Sequence, residues 1–256
     1  MTSTFIGKLA TVHAQAQMTG WDFSRLDDRV VSQEPPWDFE ADCREALGEV
    51  ARVIDMGTGG GERLIRLVNS IGCERAAGLR VTATEGWEPN IGLARRNLSP
   101  LGIAVVAYDA EKGDRMPFDS DSADLVMARH EAVDAMEIAR VLAPGGVLLT
   151  QQVDGRDAHE LRSWFGGEPS YPDSTLDALS AAFESAGLVI DTAMEWSGKM
   201  TFKDTETLVE YMGLVPWDVP GFRVEDNAQR LIDLEMSRPI IVSQRRFLLY
   251  ARRPAA

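Results

Sequence analysis

The residues with the most chemical potential in this sequence are a run of glycines, three acids and a histidine. Asp55, Gly57, Gly59 and Gly61 alternate through residues 55–61, with Thr58 between the first two glycines. Glycines at this spacing admit positive φ and remove the Cβ atoms that would hold a ligand away from the backbone. An apolar β-branched run precedes the segment, and Leu64, Ile65, Leu67, Val68 and Ile71 follow it at helical spacing. The whole therefore reads as strand, turn and helix start, with free backbone N–H groups facing a ligand. Further along, Glu85, Asp109 and the pair His130–Glu131 each stand where another apolar run ends. His130 is one of three histidines, and its titration range suits a general base. Glu131 could orient it or contact a substrate. Arg129 could meet an acidic substrate group or pair with a carboxylate of the chain itself.

The elements that must position these residues follow from hydrophobic patterning. Strand-like runs occupy residues 50–54, 80–84, 103–108, 124–128, 147–153, 188–196 and 246–252. Helical patterns at 64–71, 89–97, 132–142 and 175–186 alternate with them. Strict alternation argues for an α/β fold, a mostly parallel sheet with helices on both faces and ligands at the carboxyl ends of the strands. Asp55, Glu85, Asp109 and His130 all fall at such ends. Residues 1–44 have no strand pattern and read as an N-terminal flap, with helices expected at 5–18 and 38–49. Residues 199–243 read as an insertion between the last two strands, with helices at 205–212 and 224–236. The expected organisation is a single domain over residues 1–256: flap 1–44, core 45–198, insertion or lid 199–243 and last strand 244–256. Trp21 and Trp37 in the flap, with Tyr211 and Trp217 in the insertion, could line a substrate. Each ring could equally serve as core packing.

Composition narrows the partners. The chain has 256 residues, 45% hydrophobic, and a formal net charge of −14. That charge repels phosphate backbones, which disfavours nucleic acid and anionic membranes. No apolar run approaches a membrane span, and residues 1–16 lack the pattern of a secretory signal. Cys43 and Cys73 are the only cysteines, too few for a disulfide framework or a metal cluster, so a reducing, cytoplasmic setting is expected. No metal site is expected.

Two cofactor classes use a glycine loop after a first strand. A dinucleotide fingerprint, Gly-x-Gly-x-x-Gly, counted from Gly57 needs glycine where Glu62 stands, and a carboxylate there would repel a pyrophosphate. The sequence instead reads Asp-x-Gly-x-Gly-x-Gly, which resembles motif I of the class I S-adenosylmethionine-dependent methyltransferases. The resemblance extends through Glu85, Asp109, Asp124-Leu125-Val126 and Arg140-Val141-Leu142-Ala143-Pro144-Gly145-Gly146, over about residues 50–153. The pattern is similar to the broad bacterial group of small methyltransferases. It implies a Rossmann-like, seven-stranded sheet with an antiparallel last strand, and S-adenosyl-L-methionine as cofactor. By this resemblance Gly57, Thr58, Gly59 and Gly61 bind the cofactor, Gly57 and Gly59 leaving room for its methionine part. Asp55 supports the loop or reaches the methionine ammonium. Glu85 accepts the ribose hydroxyls, Asp109 accepts from the adenine amine, and the Ala110 N–H meets a ring nitrogen.

The fourth strand end carries Ala128-Arg129-His130-Glu131 in place of the Asn/Asp-Pro-Pro motif of base-amino methyltransferases, and there is no Pro-Cys cytosine motif. The expected activity is methyl transfer to an oxygen or nitrogen of a small molecule. An RNA or protein methyltransferase and a non-catalytic S-adenosylmethionine-binding protein are the alternatives, with a nicotinamide oxidoreductase disfavoured by Glu62. No oligomeric state follows from the sequence.

Overall fold

Parallel pairing of short apolar strands places the glycine loop. The structure, a computed structural model, describes residues 2–18 and 21–255. Its strands are β1 (Val30–Ser32), β2 (Arg52–Met56), β3 (Arg80–Glu85), β4 (Ala104–Ala107), β5 (Ala123–Arg129), β6 (Leu142–Val153), β7 (Val189–Phe202) and β8 (Ile240–Arg252). Its α-helices are α1 (Thr2–Gln15), α2 (Phe39–Leu47), α3 (Glu62–Ser70), α4 (Cys73–Ala77), α5 (Glu88–Leu98), α6 (Ala135–Val141), α7 (His159–Phe165), α8 (Leu176–Ser185), α9 (Thr205–Leu214) and α10 (Ala228–Met236). The strands form one sheet in the order β1-β7-β8-β6-β5-β2-β3-β4. β2 pairs in parallel with β3 and β5, β3 with β4, and β5 with β6. β8 runs antiparallel to β6: the Arg253 N–H donates to Gly146 O, while farther along β6 the Asp154 N–H donates to Arg245 O.

The antiparallel last strand is as expected, but the sheet has eight strands rather than seven. The additional strand, β1, pairs antiparallel with β7, Val30 opposite Phe202. Three residues with Val31 68% exposed carry no periodic signal, because the pairing is made by the backbone. β7 and β8 also run longer than the patterning suggests: the insertion expected from residue 199 begins as strand, and β8 starts at Ile240. β6 begins at Leu142, so Pro144-Gly145-Gly146 lies inside a strand rather than ending a helix. The helices α4 and α7 lie in segments where no helix was expected.

Contacts divide the chain into two compact units, each with its own core. The first comprises Trp37–Val153, Ser174–Glu195 and Phe247–Ala256. Period-two alternation sends Val53, Leu125, Met127 and Leu149 to one face, where they pack with Phe39, Cys43 and Leu47 of α2 and Leu64 and Leu67 of α3. Ile54, Met56, Val126, Ala128 and Leu148 face the other way, onto Ile138 and Val141 of α6 and Phe183 of α8. Side-chain caps start these helices: the Ala41 N–H donates to Asp38, the Met136 and Glu137 N–H groups to Asp134, and the Ala178 N–H to Thr175.

The second unit comprises Met1–Pro36, Asp154–Asp173 and Trp196–Arg246. Leu9 of α1, Phe202, Leu208, Val209 and Met212 of α9, Leu231 of α10 and Val242 form its core. Its buried acids are paired. Glu210 meets Arg25 at 2.9 Å and Arg29 at 2.5 Å, and Asp157 meets Arg246 at 2.7 Å. The Tyr211 hydroxyl donates to Asp218 at 3.0 Å, and Trp21 stacks edge-on to Trp217 with centroids 5.8 Å apart. Among the described residues no helix is long and apolar enough to cross a membrane.

Candidate functional site at the strand ends

The loop between β2 and α3 is held open by backbone bonds rather than by its own side chains. Gly57 and Gly61 have φ of 60° and 89°, the left-handed region that costs other residues. A Cβ on Gly61 would strike Leu98 at 2.8 Å, so that glycine also permits α5 to pack against the loop. The Thr58 N–H donates to Thr84 O at 2.9 Å, and the Asn97 side chain donates to Gly60 O at 2.8 Å.

Glu85, at the end of β3, is 2% exposed and braces this loop. Its Oε2 accepts the Gly59 N–H at 2.7 Å and its Oε1 accepts the Trp87 N–H at 2.8 Å. Each oxygen keeps further acceptor capacity. Burial pushes the carboxyl above the usual range, and these N–H donors oppose the shift. Asp109, at the end of β4, accepts the Glu111 N–H at 3.0 Å and pairs with Lys112 at 3.2 Å, so it opens the single turn that begins at Ala110. Gly86 lets the two strand ends close up, since a Cβ there would sit 2.9 Å from Asp109 Cβ.

Asp55 points to the α2–α3 side. Its carboxylate meets Arg63 of α3 at 3.1 Å, and Arg63 also reaches Glu40 at 2.8 Å and lies over the Phe39 ring. Burial raises the Asp55 carboxyl and Arg63 pulls it back. Arg63 thus ties Asp55 to Glu40 of α2. Burial also pushes the neighbouring Cys43 thiol up to about 12, which makes it inert at neutral pH.

At the end of β5 the two consecutive glutamines of β6 do different work. The buried Gln151 accepts the Trp37 indole N–H at 2.7 Å, and its amide nitrogen lies 3.0 Å from Nε2 of the exposed His130. Gln152, on the opposite face, donates to Glu131 O at 2.8 Å. His130 has φ of 57°, and its backbone N–H donates to Gln151 O at 2.8 Å. Arg129 lies 3.7 Å from Glu40. Glu131 lies directly over Gly57: a Cβ there would meet Glu131 Oε2 at 2.4 Å. The Glu131 carboxyl is pushed up to about 8, first by burial and then by Glu85, Asp109 and Glu111. Glu85 and Glu131 therefore approach the loop from the ends of β3 and β5, and the charges of Asp109 and Glu111 act on Glu131.

Six buried side-chain polar atoms lack a hydrogen-bond partner among the described residues, and four belong to Thr58, Thr84, Asn90 and Tyr108. These lie in the loop, next to Glu85, at the start of α5 and next to Asp109. The Thr58 hydroxyl is near enough to Asp55 to favour its ionised form without completing a well-directed bond. Of these four residues, Thr58 lies in the loop itself, and its orphan hydroxyl fits a polar ligand received there. Among the described residues no set of three His, Cys, Asp or Glu side chains is arranged to hold a metal ion.

Of the residues singled out in the sequence, Asp55, Gly57, Thr58, Gly59, Gly61, Glu85, Asp109, Ala110, Arg129, His130, Glu131 and Trp37 all belong to the first unit, and contacts link most of them. Trp21, Tyr211 and Trp217 belong to the second unit, where two of them stack and the third binds Asp218. The sequence reading missed Arg63, Gly86 and Asn97. Arg63 had a signal, an arginine on the first turn after the loop, beside the inward-facing Leu64 and Leu67.

The Methyltransferase domain family profile matches residues 54–150, from within β2 to within β6. No curated protein matches the chain. Solved structures share its fold at low identity. A candidate methyltransferase of Bacillus halodurans is 19% identical, with a TM-score of 0.57 over 84% of this chain and 99% of that one. The YcgJ protein of Bacillus subtilis is 16% identical, with a TM-score of 0.59 over 85% of this chain and 99% of that one. The cyclase SpnF is 16% identical, with a TM-score of 0.53 over 99% of this chain and 95% of that one. By its sheet the chain shares the fold of these solved structures, and its residues 54–150 match the Methyltransferase domain profile.

Proposed function

We propose that the chain is an S-adenosylmethionine-dependent methyltransferase acting on an oxygen or nitrogen of a small molecule in a reducing, cytoplasmic setting. The observation that carries this reading is that Glu85 and Glu131 both lie against the Gly57–Gly61 loop, with the charges of Asp109 and Glu111 acting on Glu131. A dinucleotide would bring its pyrophosphate into that acidic ring. A ligand with a sulfonium and an ammonium brings the opposite charge. The cofactor supplies an electrophilic methyl group when bound. The chain's own part is to hold and align. Gly57 and Gly59 keep side chains out of the turn around Thr58, Asp55 meets Arg63 behind it, Glu85 has acceptor capacity left for a diol, and Asp109 with Ala110 frames the next strand end. With the cofactor bound, an acceptor aligned beside its methyl group would give up its proton to a base or to water. His130 and Glu131 flank that position in this reading, with Trp37 and Arg129 beside them.

The net charge of −14 speaks against an RNA acceptor. A second reading, a chain that uses this fold for something other than methyl transfer, is favoured by one fact: a solved structure sharing the fold is that of a cyclase. Thermal shift with S-adenosylmethionine, S-adenosylhomocysteine and NAD, followed by a labelled-methyl acceptor screen, tests both. Stabilisation by the sulfur ligands together with label transfer supports the first reading. Stabilisation by NAD alone would sink both. Sulfur-ligand binding with no label transferred to any acceptor favours the second.

A further inference from the structure

The contacts of Gln151 fix more than its own orientation. The indole nitrogen of Trp37 is a donor only, so the Gln151 atom facing it at 2.7 Å is the carbonyl oxygen. The other end of the amide, which faces His130 Nε2 at 3.0 Å, is then the NH2 group. That group has no lone pair to offer, so Nε2 must be the acceptor and the ring proton belongs on Nδ1. A proton on Nε2 would place two donors against each other. Rotating the amide to relieve this would set its NH2 against the indole N–H. The sheet holds the arrangement: Gln151 is 6% exposed in β6, its own carbonyl accepts the His130 N–H at 2.8 Å, and His130 is kept at a φ that a non-glycine residue adopts only under constraint.

We infer that Trp37 and Gln151 are positioning residues that hold His130 as its neutral Nδ1–H tautomer, so that Nε2 does not take up the acceptor's proton. The tautomer follows from the contacts alone; its bearing on proton transfer rests on the methyltransferase reading. Arg129 and Glu131 adjoin His130 in sequence, Arg129 turns to Glu40, and neither Trp37 nor Gln151 brings a charge. An enzyme so arranged suits an acceptor that arrives with its lone pair available, such as a neutral amine or an acidic hydroxyl, over an alcohol that needs a histidine base.

Nitrogen-15 NMR of the full chain labelled in its histidine rings tests this without any cofactor, the His130 signals being assigned by their loss in His130→Ala. The expected result is a neutral ring that carries its proton on Nδ1, the reverse of the preference of free histidine. Trp37→Phe keeps a ring but releases the amide, and the proton should redistribute toward Nε2. Gln151→Glu offers an acceptor in place of the donor, and His130 should be protonated on both nitrogens at pH 7. A wild-type ring carrying its proton on Nε2, or signals unmoved by Trp37→Phe, would overturn the inference. The wild-type spectrum decides even if a variant does not fold. Failure of S-adenosylmethionine to bind would remove the proposed function and leave the tautomer standing.

Discussion

Asp157 and Glu210 in one unit, and Glu85 and Glu131 in the other, are carboxylates drawn largely out of water, yet they keep different company. Arg246 holds Asp157, and Arg25 with Arg29 holds Glu210. Glu85 has backbone N–H groups for partners, and the charges that act on Glu131 are other carboxylates. A buried acid beside an arginine is satisfied, and nothing more is needed to explain it. A buried acid among acids is unfavourable on its own, and such arrangements mark sites where a ligand completes the balance. The contrast separates a scaffold from a site without reference to any relative.

Three substitutions would break or sharpen that contrast. The largest effect is expected from Arg246→Met, which leaves Asp157 buried without its guanidinium and should cost roughly 3–5 kcal/mol of stability in urea unfolding. A loss near zero would mean that the pair is not the anchor described here. Next comes Glu85→Ala. Removing the two charge-assisted bonds that brace Gly59 and Trp87 should weaken S-adenosylmethionine binding by about 1.5–3 kcal/mol, roughly ten- to 150-fold, with the circular dichroism unchanged. Unaltered affinity would take Glu85 out of the site.

The smallest expected effect is the pH response of Glu131. Its carboxyl sits at about 8 in the folded chain against an ordinary value near 4.5, so the folded state holds a proton that the unfolded state has shed between those pH values. Stability contributed by this group is present at low pH and is lost as pH rises through that window. Glu131→Gln should flatten this part of the stability profile. It should also remove a rise of up to about tenfold in affinity for a cationic ligand between pH 6 and 8. An identical pH profile in the variant would assign the titration to another group.

Much of this arrangement was legible in the sequence because buried parallel strands are apolar runs that end abruptly at a charge. That is why Asp55, Glu85 and Asp109 could be placed before any coordinates. What was not legible depends on distant partners or on backbone alone. β1 is three exposed residues added to an edge, and the later part of β7 is polar enough to look like loop. Gln151 and Gln152 must face opposite ways on a strand, but alternation alone does not say which of them meets His130. Trp37 meets Gln151 across 114 positions of sequence, which no local pattern records. The shift at Glu131 arises only when the ends of three strands come together, so Glu131 looked like a companion of His130 when the structure gives it the more unusual surroundings.

The central claim, that the carboxylates at the strand ends await a cationic ligand, is tested most directly by calorimetric titration of S-adenosylmethionine at pH 7 in two buffers of different ionisation enthalpy. The account predicts saturable one-to-one binding with net release of protons, and loss of that release in Glu131→Gln. No binding, or binding whose heat is the same in both buffers, would contradict it.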